Sequence, residues 1–323
     1  MSSETVAIQG DRLKAWLITF VKLSIATIII GFLVYSGRLD FLEISKGLLH
    51  PAEIALAFMI FLMAFVFSTL RWQQILRCVG VNIRLGKLIQ FTWIGQFFNN
   101  FSIGTIGGDV VKIIYVIRQV PKRKAAVAMT VFIDRLAGIY GLFLTAAVGV
   151  LVAPDSFREL EYISYLQTVI TLTICASSLA AVALLSIPTR LVPKQLTKLN
   201  QIVEFLHLFR KSKLRLASIV LFSFLCHFFS TIGVFILSRT LVQSSEELTF
   251  IQLLMVTPLG NLVAALPITP VGIGIGQVAY SKLFEWGGIV SKSLGANLIT
   301  LTQMVTIAIN LLGIIPYLMR HRR

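Results

Sequence analysis

Asp109, Lys112, Asp134 and Arg135 are ionisable side chains set in stretches otherwise built of apolar residues. Asp109 and Lys112 follow a glycine-rich break, Gly104-Thr105-Ile106-Gly107-Gly108, and stand three residues apart. A helix resuming after Gly108 presents free backbone amides, a natural seat for a phosphate group. Asp109 then suits the N-cap, and Lys112, one turn on, can neutralise an anion. Asp134 and Arg135 lie nine residues into the apolar run 125–153. Charges at that depth cost about 3 kcal/mol each on insertion scales and mark functional positions by default. Adjacent helix positions point in different directions, so the two do not simply cancel. Arg135 is expected to face a cavity and attract a lipid phosphate or pair with Asp109. Asp134 is expected to pair with Lys112 or another base. The alternative is a closed ion-pair network that only pins helices together.

Amide side chains surround the same break: Gln96, Asn99 and Asn100 precede it. A second interrupted stretch carries Pro267, Thr269, Pro270, Gly272, Gly274 and Gly276, with Asn261 and Gln277 on either side. Non-helical backbone at membrane depth must be buried in protein or line water. Both breaks therefore point to a polar cavity for a lipid headgroup, with interhelical hydrogen bonding as the alternative use of the amides.

Other chemistry finds no footing. There is no GxxxxGK[ST] phosphate loop and no GxSxG nucleophile elbow. His50, His207, His227 and His321 are scattered, and Cys78, Cys175 and Cys226 show no CxxC spacing. No catalytic residue, metal or cofactor is expected, and His227 reads as a satisfied core group.

The elements that must position these residues are membrane-spanning. The chain has 323 residues, 56% hydrophobic and only 13% charged, with a mean hydropathy of +0.86. A soluble domain carries about a quarter charged residues. Soluble enzyme, disordered chain and disulfide-rich module are excluded. The net charge of +15 is concentrated rather than spread. Stretches 71–88 and 118–124 hold four bases each and no acid, and 188–216 holds seven. Acids gather in 154–164 and 242–250. That asymmetry is the positive-inside pattern of a multi-pass membrane protein, and no nucleic-acid partner is expected.

Apolar runs at 16–35, 52–70, 125–153, 165–187, 217–241 and 291–319 predict six transmembrane helices. Charge balance makes 89–117 enter and leave on the basic side and 251–288 on the other, as two re-entrant hairpins. Both termini then lie inside. At an offset of 165 residues Thr92 meets Thr257, Gly95 meets Gly260, Ile103 meets Ile268, Gly107 meets Gly272 and Tyr115 meets Tyr280. The expected fold is all-α: one integral domain over 1–323 made of two inverted repeats, 16–153 and 165–319, whose hairpins meet around a wet pocket. The linker 188–216 contains a basic amphipathic segment, 194–210, suited to anionic headgroups or to plain packing on the bundle.

At these residues the chain resembles the lysylphosphatidylglycerol synthase/flippase transmembrane-domain family (UPF0104). The matching features are Arg71-Trp72, Phe97-Phe98-Asn99-Asn100-Phe101, Gly107-Gly108-Asp109 with Tyr115, Asp134-Arg135 where the family usually shows Glu-Arg, and Leu266-Pro267-Ile268-Thr269-Pro270-Val271-Gly272-Ile273-Gly274. The resemblance implies moving or presenting a phospholipid or polyprenyl-linked lipid across the cytoplasmic (inner) membrane, with membrane lipids as partners. It also leaves room for a homo-oligomer or an envelope-enzyme partner. The chain stops at Arg323 without the soluble aminoacyltransferase domain of the two-domain members, so synthase activity is not expected. The alternative function is a non-transporting partner or regulator of a lipid or envelope enzyme.

Overall fold

The computed structural model describes residues 40–101, 106–153, 161–186, 208–210, 212–241, 248–266, 269, 272–287 and 293–321, with isolated positions between 24 and 35. Every described regular element is helical. In chain order these are α1 (Phe41–Gly47), α2 (Pro51–Cys78), α3 (Leu85–Phe101), α4 (Ile106–Ile117), α5 (Lys124–Val152), α6 (Glu161–Ser186), α7 (Lys213–Ser238), α8 (Phe250–Ala264), α9 (Ile275–Trp286), α10 (Leu294–Leu311) and α11 (Ile314–His321).

Local signals fix the ends. Asp40 caps α1 by accepting from the Leu42 amide at 2.8 Å. Pro51 opens α2, where its missing N–H costs nothing. Thr249 and Gln252 form a reciprocal capping box at the start of α8. Arg123 donates to the Val79 carbonyl and Arg215 to the Arg77 carbonyl at 2.8 Å, so two guanidinium groups close the C-terminal end of α2.

Four helical segments are long and apolar enough to cross a membrane: Pro51–Cys78, Pro121–Val152, Lys213–Ser238 and Leu294–Arg320. They answer to the expected spans 52–70, 125–153, 217–241 and 291–319. The expected span 165–187 falls on α6, whose apolar part, Ser164–Ala180, is shorter. The run 16–35 and the amphipathic segment 194–210 lie largely outside the described residues. Leu172, Leu179 and Val182 on α6 stay 64%, 70% and 62% exposed, the pattern of a lipid-facing flank rather than a water-facing one.

α2 and α7 make the most extensive helix pair. Ala57, Phe61, Val234 and Leu237 join one buried cluster, and the Phe67 ring lies 5.3 Å from that of Phe229. α3 folds back on α4, and α8 on α9. Each of these hairpins packs against a long helix of the other half: α3 against α10, and α8 against α5. The hairpins are expected to meet at breaks that include 102–105, 267–268 and 270–271, and these residues lie outside the described ones. Among the described residues their main neighbours are these long helices, and the marked clefts open elsewhere, at the basic end around Arg84, Lys87 and Arg320.

Candidate functional site

The α3/α4 hairpin is closed by small residues. Gly95 and Gly108 bring the two backbones into direct contact, and a Cβ on Gly108 would overlap the Gly95 carbonyl oxygen. Farther toward the basic end the arms are joined by Phe91 stacked on Tyr115, with ring centres 5.4 Å apart, and by Lys87 Nζ donating to Gln119 Oε1 at 2.7 Å.

The expected position of Asp109 is corrected. Helix resumes at Ile106 rather than after Gly108, so Asp109 lies inside the first turn of α4 and is not its N-cap. Asn99 takes over the capping: its Oδ1 accepts from the Gly108 amide at 2.7 Å, while its Nδ2 donates to Gln96 Oε1 at 3.2 Å. The amide expected to seat a phosphate is therefore held by a side chain of the same hairpin.

Freed from capping, Asp109 joins a chain of charges across three helices. Its Oδ1 lies 2.9 Å from Lys112 Nζ, and its Oδ2 accepts from Arg135 Nε at 2.6 Å. Lys112 also reaches Asp134, with Nζ 3.6 Å from Oδ2. The other oxygen of Asp134 accepts from Arg71 Nε at 2.8 Å. Lys112 Nζ sits 4.7 Å from the centre of the Trp72 ring, whose Nε1 donates to Thr130 Oγ1 at 3.2 Å. Arg71, Asp109, Lys112 and Asp134 are all largely buried, whereas the Arg135 side chain is 41% exposed and forms the open edge. Arg71 Nη1 is buried with no hydrogen-bond partner among the described residues. His227 Nε2 meets the Gly138 carbonyl at 3.0 Å.

Adjacent Asp134 and Arg135 thus take different partners, because neighbouring positions on α5 face different helices. Arg71 is the member of this cluster missing from the binding residues expected from sequence. Its sequence position at the basic end of an apolar run matches a snorkelling arginine, and only packing of α2 against α5 turns it inward.

Asn100 is turned away from the cluster. It donates to the Ile307 carbonyl at 3.4 Å and accepts from Asn310 Nδ2 at 3.2 Å, tying α3 to α10. The second hairpin is likewise held by neutral groups. Gln277 Oε1 accepts from the Gly274 amide at 2.6 Å, and its Nε2 donates to Gln303 Oε1 at 2.9 Å and Thr300 Oγ1 at 3.1 Å. Tyr280 donates to Asn261 Oδ1 at 2.8 Å. Gly272, at φ 71°, and Gly274, at φ 90°, occupy the left-handed region that favours glycine. Thr269 is 1% exposed and its hydroxyl has no partner among the described residues. Pro267 and Pro270 lie outside the described residues. No group of three or more His, Cys, Asp or Glu side chains could hold a metal among the described residues.

Residues 19–313 match the family model described as lysylphosphatidylglycerol synthase TM region. The chain is 27% identical over 279 residues to a UPF0104 membrane protein of Pyrococcus horikoshii, covering 78% of this chain and 82% of the relative. No solved structure matches it. With its apolar helices, these matches make it a multi-pass membrane protein.

Proposed function

Since the chain belongs to the lysylphosphatidylglycerol synthase transmembrane-region family, we propose that it moves or presents a phosphate-bearing lipid across the cytoplasmic membrane without catalysing a covalent step. Both hairpins dip into the bilayer and return, in two repeats of opposite orientation. Arm length supports this: α4 and α9 have 12 residues each, about 18 Å of helix against a hydrocarbon core of about 30 Å. The exchange of neighbours, each hairpin lying on a long helix of the other half, supports the repeat.

The observation that carries the transport reading is the buried convergence of Arg71, Lys112, Asp109 and Asp134, with half-exposed Arg135 at its edge. Burying such groups in a membrane is costly unless they pair. Pairing that is shared rather than one-to-one leaves cations able to change partners. A headgroup phosphate arriving at Arg135 competes with Asp109 for Arg135 and Lys112. An amine on the headgroup pairs with the carboxylate so released. The lipid tails stay in hydrocarbon while the head passes along exchangeable charges.

Proteoliposomes loaded with a fluorescent phospholipid analogue, with one leaflet chemically quenched, test this. The intact chain is expected to accelerate translocation over protein-free vesicles. Asp109→Ala and Arg135→Ala should each lower the rate roughly tenfold or more, since removing one partner of a buried charge pair costs about 2–5 kcal/mol. Variants transporting like the parent would sink the site. A parent no faster than empty vesicles would favour a non-transporting partner of an envelope enzyme.

A further inference from the structure

At the basic end a cleft of about 690 Å³ opens between α3 and α11. Lys87, Gln90 and Arg320 form its polar side; Trp93, Ile315 and Met319 form its apolar side. It shares Lys87 and Gln90 with a neighbouring cleft that reaches Arg84 and Gln119. That one adjoins a third ending at Arg77 and Arg215. The three clefts form a trough with five basic side chains and, among the described residues, no carboxylate in its walls.

The cations over the α3/α11 cleft are held without an ion-pair partner among the described residues. Arg320 Cζ lies 4.7 Å from the Phe91 ring centre and 5.2 Å from that of Tyr115. Lys87 donates to the neutral Gln119 amide. π faces and an amide fix position while leaving positive charge for an anion. The apolar side runs outward to Ile315, 53% exposed, and Met319, 66% exposed, which continue the lipid-facing surface of α11. A small water-soluble anion needs only the polar side. Cations beside an apolar wall that opens sideways match a phosphate joined to acyl chains.

We propose that this cleft binds the headgroup of an anionic phospholipid resident in the adjoining leaflet, as a fixed lipid that bridges α3 and α11. The site is separate from the Arg71–Arg135 cluster and does not rest on transport. The bound lipid ties the first hairpin to the end of the chain, so the charge of that leaflet sets how firmly α3 is held.

Native mass spectrometry of the full chain released from vesicles of mixed phosphatidylcholine and phosphatidylglycerol tests the site. The parent should retain phosphatidylglycerol in preference to phosphatidylcholine. Lys87→Gln with Arg320→Gln should weaken retention roughly 30-fold, as each basic side chain near an anionic lipid surface contributes on the order of a factor of five. Arg239→Gln, which removes an exposed base that belongs neither to the clefts nor to the ion cluster, should retain phosphatidylglycerol like the parent. Gln90→Trp, which keeps every charge but fills the cleft, should also lose it, and this variant decides the matter if the double substitution fails to fold. Equal retention of both lipids by the parent, or undiminished phosphatidylglycerol retention in Gln90→Trp, overturns the proposal. Glycerol 3-phosphate binding as tightly as phosphatidylglycerol overturns the lipid as occupant.

Discussion

The hairpins α3/α4 and α8/α9 each fold a longer arm against one of twelve residues, and each reaches the next long helix through a side chain of its second arm. In α3/α4 that side chain is Lys112, which meets Asp134 on α5. In α8/α9 it is Gln277, which meets Thr300 and Gln303 on α10. At the 165-residue offset Lys112 falls on Gln277 and Arg135 falls on Thr300. The two hairpins are therefore fastened by different means, one with charge and one with neutral hydrogen bonds. Neutral fastening satisfies buried groups at low cost and holds one geometry. Charged fastening costs more and is exchangeable, which suits a region that must bind and release an ionic group.

The largest expected effect breaks the charged side of this comparison. Arg71→Ala leaves Asp134 with only the longer contact to Lys112. Stripping one partner from a buried ion pair costs about 3–5 kcal/mol. Thermal unfolding in detergent should register a loss of that order, partly recovered by adding Asp134→Asn. Gln277→Leu on the neutral side leaves the Gly274 amide unsatisfied and should cost about 1–3 kcal/mol. Equal losses at the two sites would show that charge makes no difference to how the hairpins are held.

A second pair of substitutions tests whether the hairpins are closed by comparable means. Gly108→Ala drives a methyl group into the Gly95 carbonyl, backbone against backbone. Gly272→Ala drives one into the Ala264 carbonyl and also strains a residue at φ 71°. Overpacking of this kind costs about 1–3 kcal/mol, and the strained φ adds to it at Gly272. Cross-linking Lys87→Cys to Gln119→Cys with a bis-maleimide, whose spacer replaces the reach of the Lys and Gln side chains, reads the first hairpin directly: Gly108→Ala should lower its yield, whereas Gly272→Ala should leave it unchanged. A fall with both would mean that the hairpins do not behave as separate units.

Much of this was legible in the sequence because glycine, proline and charge carry local instructions. Gly107-Gly108 beside Asp109 and Lys112 marked the first hairpin, and Pro267, Pro270, Gly272, Gly274 and Gly276 marked the second. Pairing of Arg135 with Asp109 was one of two expected alternatives, and Asp134 takes both Lys112 and another base, as depth and helix direction allowed. What escaped was set by contacts distant in sequence. Arg71 joins the cluster only because α2 packs against α5, and Asn100 leaves it only because Asn310 comes across from α10. The N-terminal start of α4 was misplaced because Asn99, nine positions away, caps the Gly108 amide that Asp109 was expected to serve.

The smallest expected effect sharpens the comparison at its one shared aromatic position. Tyr115 and Tyr280 fall on each other at the 165-residue offset, and both are buried. Tyr280 presses its ring against Gly260 and donates its hydroxyl to Asn261, closing the neutral hairpin by a directed bond. Tyr115 contributes its ring, stacked on Phe91 with Arg320 over it. Phenylalanine keeps the ring in both cases and removes only the hydroxyl. Tyr280→Phe should therefore cost about 1 kcal/mol, the net worth of one hydrogen bond, with Tyr115→Phe costing less. Equilibrium unfolding of the two variants side by side measures the difference. A larger loss at Tyr115 would place a directed bond where the structure shows stacking, and would add it to the neutral contacts that already close the first hairpin.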